Sequence, residues 1–148
     1  MQIQTKYLGE IDINEDQIIS FPKGLLGFPD HNEFVLLNIQ GNDHFKFLQD
    51  IHNEYISFLL INPWDFFNDY DIELSDEKLG NIGIDPNGDN DMHIYSIVTM
   101  RDSLQTSTCN LLAPIVINLR NREGKQFVLD NSPYTTKHML FSEGEELC

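Results

Sequence analysis

The chain has 148 residues, 41% of them hydrophobic and 11% aromatic, which suits a folded domain that buries about 68–70% of its unfolded surface. Its 24 Asp and Glu against 9 Lys and Arg give a formal net charge of −15, which excludes a sequence-independent nucleic-acid binder, since such a protein needs clustered cations against phosphates. No apolar run approaches the ~18 residues of a membrane span, the first residues lack a signal-peptide pattern, and 2 cysteines build no disulfide framework, so a cytoplasmic protein with no membrane partner is expected.

Strand signals run along nearly the whole chain. Ile3, Thr5 and Tyr7 alternate with polar residues, as do Ile11 and Ile13, the period-2 mark of half-buried strands. A short β-rich run over 17–21 leads into FPKGLLGF at 21–28. Here Pro22 sets a turn, Gly24 and Gly27 offer cheap positive φ, and Phe21, Leu25, Leu26 and Phe28 are expected to tie the turn to a core. Further runs follow at 34–38, 45–49 and 55–61.

Past Pro63 the signal changes. Phe66, Phe67 and Tyr70 fit a single helical turn. Tyr70, Ile72 and Leu74 then alternate with Asp69, Asp71 and Glu73, which predicts a strand with its acids on the solvent face. Ser75 caps about one turn of helix over 75–79, with Asp76 and Glu77 well placed in the first turn. Residues 92–100 are apolar on both faces and form the best central strand. Runs at 115–119 and 125–129 flank a turn ending in Gly124 and predict a hairpin. Many short strands, one or two helical turns, no repeat and no internal linker predict an all-β, single-domain antiparallel barrel-like fold over 1–140, with a short acidic tail over 141–148.

Candidate chemistry is thin. Asp85, Asn87, Asp89 and Asp91 alternate like the opening of a calcium loop, but Asn90 stands where that loop needs Gly and Ser96 where it needs a bidentate Glu. Asn87-Gly88 is a common turn pair, and a connecting loop accounts for the segment. None of His31, His44, His52, His93 and His138 shows the i, i+4 spacing of a zinc hydrolase. His44 and His52 lie near strands without an identifiable nucleophile, and Cys109 precedes an apolar strand as a buried, inert thiol would. No enzyme, metal or cofactor is expected.

Charge is unevenly spread. Residues 62–91 hold nine acids (Asp65, Asp69, Asp71, Glu73, Asp76, Glu77, Asp85, Asp89, Asp91) against Lys78, whereas 92–129 hold Asp102 and Glu123 against Arg101, Arg120, Arg122 and Lys125. An acidic stretch inside a folded domain serves solubility, and it also suits a basic protein partner. Beside it lies the only tryptophan, Trp64, with Phe66 and Phe67, a cluster that either closes the core or anchors an interface.

FPKGLLGF at 21–28, TSTCNLLAPIVIN at 106–118 and GKQFVL at 124–129, in this order and separation, resemble the flagellar assembly factor FliW family. The resemblance runs from IQTKY at 3–7 to YTTKH at 134–138 and takes in FLQ at 47–49, Phe58 with Pro63, and 70–74; the tail lies outside it. It implies a barrel-like domain and a non-enzymatic cytoplasmic regulator that binds flagellin and the carbon storage regulator, an RNA-binding translational repressor, without touching nucleic acid itself. By partner switching it would couple flagellin translation to flagellin export. The competing expectation is a generic acidic chaperone or binding module for another basic protein. Candidate protein-binding residues are Trp64, Phe66 and Phe67 as anchors, Asp69 and Asp71 as a charged rim, and Asn110 and Leu111 in an exposed loop.

Overall fold

Alternation at the amino terminus builds a hairpin of its own. In the computed structural model, which describes residues 1–141, β1 (Gln2–Gln4) and β2 (Glu10–Asp12) pair antiparallel with Ile3 opposite Ile11. Between them, Thr5 Oγ1 donates to Gly9 O (2.7 Å) and accepts from Leu8 N (2.9 Å), which fixes the loop that carries Tyr7.

The remaining strands are β3 (Ile18–Ser20), β4 (Glu33–Ile39), β5 (Asn42–Asp50), β6 (Ser57–Ile61), β7 (Met92–Thr99), β8 (Thr108–Cys109), β9 (Ile115–Asn118), β10 (Glu123–Gln126) and β11 (His138–Met139). Seven of them close a barrel in the order β7-β6-β5-β4-β3-β10-β9, with β9 returning to β7. Every ladder is antiparallel except the contact of β10 with β3, where Glu123 lies beside Ser20. One edge of β7 is shared: β9 takes its first half and β8 its last two residues, and β11 pairs on the far side of β8. The interruption has a local cause. Asn110 Oδ1 accepts from Leu112 N and Ala113 N, turning the chain, and Pro114 has no N–H to extend a ladder.

The barrel interior is apolar, with Phe21, Phe34, Leu48, Leu60, Ile115 and Ile117 all buried together. Alternate residues face outward yet are also covered, which explains unbroken runs such as Ile115, Val116 and Ile117. Val35 lies under the β1–β2 hairpin with Ile3 and Ile13. Val116 and Phe127 lie under Ile82 and Ile84, which follow the short helix α1 (Asp76–Gly80). Ser75 Oγ accepts from Lys78 N (3.1 Å), the cap expected at that helix. The described helical content is α1 and the 3-10 turns Glu15–Gln17, Pro63–Asp65 and Leu104–Thr106.

Gly24 (φ +65°) and Gly27 (φ +84°) take the left-handed conformation expected of them. Leu25 and Phe28 exchange backbone hydrogen bonds around the turn, and Phe21 and Leu25 are buried. Leu26 departs from expectation: it is 56% exposed, because the second position of this tight turn projects away from the barrel. Its backbone N–H donates to Gln126 Oε1 (2.9 Å).

Two further expectations are corrected. Residues 70–74 form no strand, since both edges of β6 and β7 are already taken and the segment lies over the outside of the barrel. Side chains satisfy part of its backbone instead: Trp64 Nε1 donates to Tyr70 O (2.7 Å) and Asp71 N donates to Tyr134 Oη (2.8 Å). The alternation of faces survives, with Tyr70 buried, Ile72 and Leu74 half-buried, and Asp69, Asp71 and Glu73 exposed. In the hairpin of β9 and β10, Asn118 pairs with Glu123, so the turn closes on Arg122 at φ +58° and Gly124 lies inside β10. A Cβ at Gly124 would sit 2.6 Å from the Phe21 ring, which is why glycine occupies the strand. The acids of the tail, Glu143, Glu145 and Glu146, lie outside the described residues.

Candidate functional site

The predicted site residues gather at one side of the barrel, in two layers. Asn62 Oδ1 accepts from Trp64 N and caps the turn Pro63–Asp65, after which Phe67 N donates to Pro63 O (2.8 Å) and Tyr70 N to Phe67 O (3.0 Å). This folds the segment flat over the outer face of the barrel. Trp64, Phe66 and Phe67 are each half-buried: Trp64 tilts on Tyr70, Phe66 meets Phe45 and Phe141, and Phe67 approaches His138. Asp65, Asp69 and Asp71 point outward and are exposed. The aromatic residues therefore close a core and leave part of their surface beside an acidic rim.

Asn110 and Leu111 form the layer beneath. The expectation of an exposed loop is corrected, because Leu111 is only 1% exposed and Asn110 is committed to its turn. Tyr70 Oη donates to Leu111 O (2.7 Å), so the two sequence segments chosen for separate reasons meet through this bond. Burial raises the Tyr70 phenol, with Tyr134 and Cys109 adding smaller effects in the same direction, and burial pushes the Cys109 thiol up to about 12. A thiol so placed is protonated and shielded at neutral pH.

Four of the five histidines face carboxylates: His31 Nδ1 lies 2.5 Å from Asp50 Oδ2, His44 Nδ1 3.2 Å from Asp65 Oδ2, His52 Nε2 2.8 Å from Glu33 Oε1 and His93 Nε2 2.8 Å from Asp91 Oδ1. His31–Asp50 clamps the end of the 21–28 loop to β5, since Asp50 Oδ1 also accepts from His52 N and Asn53 N. In the 85–91 loop, Asp85 and Asn90 hydrogen-bond each other, which uses their oxygens to hold a turn.

Sequence reasoning missed an apolar groove of about 670 Å³ on the outer face of β5, β6 and β7. Its floor follows the cross-strand row Phe47, Leu59 and Val98. The ladder between β6 and β7 ends at the Leu59–Val98 pair, and the groove opens where the strands part, between Ser57 and Met100. One wall is Tyr7, stacked on Phe47 at 4.9 Å and held there because Lys6 N donates to Gln49 Oε1. Met100 and Leu104 form the other wall. A second recess of about 500 Å³, with Asp43, His44, Asp65 and Phe66, shares Asn42, Phe45 and Leu104 with the groove. The available signal was the outward set of β5 and β6, where Phe45, Phe47 and Leu59 are more apolar than a solvent face requires.

Comparison with known proteins gives a consistent result. The family model described as FliW protein matches residues 2–140. A flagellar assembly factor FliW of Geobacillus kaustophilus is 43% identical over 143 residues, covering 97% of this chain and 97% of that protein. One of Heliobacterium modesticaldum is 44% identical over 141 residues, covering 95% and 91%. A crystal structure of the flagellar assembly factor FliW superposes with a TM-score of 0.90 at 40% identity, covering 98% of this chain and 100% of the other.

Proposed function

This chain belongs to the flagellar assembly factor FliW family, and from that premise we propose that it is a non-enzymatic cytoplasmic regulator that exchanges two protein partners, flagellin and the carbon storage regulator. When flagellin accumulates, it occupies this protein and leaves the repressor free to block flagellin translation. Export of flagellin releases the protein, which then captures the repressor and lifts the block.

The observation that carries this reading is family membership joined to the surface beside the Trp64 cluster, where Asp65, Asp69 and Asp71 are all exposed next to half-buried aromatic residues. An apolar anchor with a charged rim is suited to a protein partner with basic residues, and an RNA-binding repressor must carry such residues. Acids docked on the repressor disfavour RNA by their field without filling its site.

The test is a three-way titration of purified protein, flagellin and repressor, with the repressor bound to a labelled RNA. We expect the protein to bind each partner, to displace RNA from the repressor, and to lose that effect when flagellin is added. Displacement of RNA that flagellin leaves untouched would overturn partner switching. Extract pull-downs dominated by another basic protein would favour a general acidic chaperone.

A further inference from the structure

Resting on the reading above that the protein acts by binding other proteins, we propose that the groove of β5–β7 and the acidic recess beside it form one docking site for a short amphipathic segment of a partner. Large apolar side chains of that segment enter the groove, and a Lys or Arg next to them meets Asp43 and Asp65.

The chemistry of the lining selects this occupant. None of the groove-lining residues carries a formal charge, in a chain where 22% of residues do. A nucleic acid or a small anion would find no cation there, and a charged group would be desolvated without a partner. Apolar side chains meet no such penalty, and they cover Phe47, Leu59 and Met100, which the fold leaves open to water. Met100 is 56% exposed and Tyr7 is 57% exposed, so both walls stand ready to close on an inserted side chain. Methionine and tyrosine also suit this position, one by adapting its shape and the other by presenting a rigid amphipathic ring.

The neighbouring recess sets the polarity. Among the described residues, Asp65 has only His44 as an ion-pair partner and Asp43 has none. Because Asn42, Phe45 and Leu104 line both concavities, a segment lying along the groove continues into the acidic end without leaving the surface. The overall charge of −15 points the same way, favouring a basic flank over an acidic one.

A labelled synthetic peptide of about 16 residues, with Leu and Phe at helical i, i+3, i+4, i+7 spacing, two Lys at one end and Ala, Gln and Ser elsewhere, serves as probe. Two controls carry the same composition with scattered apolar residues, and Glu in place of Lys. Fluorescence anisotropy should give binding about tenfold tighter for the first peptide than for either control. Amide shifts on binding should concentrate at Phe47, Leu59 and Met100. Tyr7→Ala and the double variant Asp43→Asn with Asp65→Asn should each weaken binding about five- to tenfold at unchanged melting temperature. If Tyr7→Ala lowers the melting temperature, Met100→Ser tests the opposite wall. Equal binding of the scattered peptide, shifts elsewhere on the barrel, or variants that bind like the parent overturn the proposal. The same variants titrated with flagellin separate the two readings. Flagellin bound equally by parent and variants removes the groove from its interface and overturns this site, while the regulatory reading stands. Flagellin bound by neither removes the regulatory reading, and the peptide titration still decides the groove.

Discussion

Gly24 and Gly27 lie three residues apart in one turn and both have positive φ, yet their surroundings differ. A Cβ at Gly24 would stand 2.3 Å from Phe28 O and 2.7 Å from Pro29 Cα, both backbone atoms, whereas at Gly27 it would meet nothing within 4 Å. Gly27→Ala should cost only the left-handed penalty, about 1–2 kcal/mol. Gly24→Ala adds overpacking of about 1–3 kcal/mol against atoms that cannot step aside. Thermal melts should show a loss about twice as large for Gly24→Ala; equal losses would mean that the loop relaxes and that contact with Pro29 does not hold it. Leu26, between them, departs from the burial expected of it, because its side chain leaves the core that its neighbours build.

The covering segment from Pro63 to Leu74 has the burial of a sheet element without the ladder. Its stability comes from aromatic contact and from the bonds of Trp64, Tyr70 and Tyr134 to backbone groups. Tyr70 within it, Cys109 beneath it and Tyr95 inside the barrel all have raised pKa values caused first by burial. Each stays protonated in the folded protein at a pH where the unfolded chain has lost the proton. Folded protein then binds more protons than unfolded, so the stability these groups contribute is complete below about pH 9 and is lost as pH rises from there toward 12. Melting temperatures measured from pH 8 to 11 should decline, and Cys109→Ala with Tyr70→Phe should flatten the decline. A decline identical in the double variant would assign the effect to general repulsion among the acids.

At the scale of the molecule the barrel carries one side where exposed acids stand beside half-buried aromatic residues. A single pair of charges 10 Å apart contributes only about 0.4 kcal/mol in water, and salt near 0.1 M screens beyond roughly 10 Å. Long-range attraction must therefore come from many acids together, and it acts on encounter. Reversing Asp69 and Asp71 to Lys, both exposed and outside any described ion pair, should slow association with a basic partner about three- to tenfold at low salt. Dissociation should change little, and the difference should vanish at high salt. Stopped-flow kinetics across a salt series read both numbers. A faster dissociation with unchanged association would place the two acids inside the contact itself.

Local patterns determined a large share of this protein. The alternations of β1 and β2, the β-rich runs of β4–β6, the double-faced run of β7, the Ser75 cap and the positive φ of Gly24 and Gly27 all depend on residues within a few positions of one another. The motifs of the FliW family and the acidic excess over 62–91 are likewise properties of the chain alone. Tertiary structure decided the rest. Residues 70–74 alternate as a strand does, but a ladder needs a free edge, and closure of the barrel leaves none on β6 or β7. Leu111 and Leu26 have equal hydropathy and opposite fates, because one lies beneath Tyr70 and the other at the tip of a turn. The groove shows the limit most plainly. Its walls come from Tyr7 and from Met100, residues 93 positions apart, and only the parting of β6 from β7 makes a space between them.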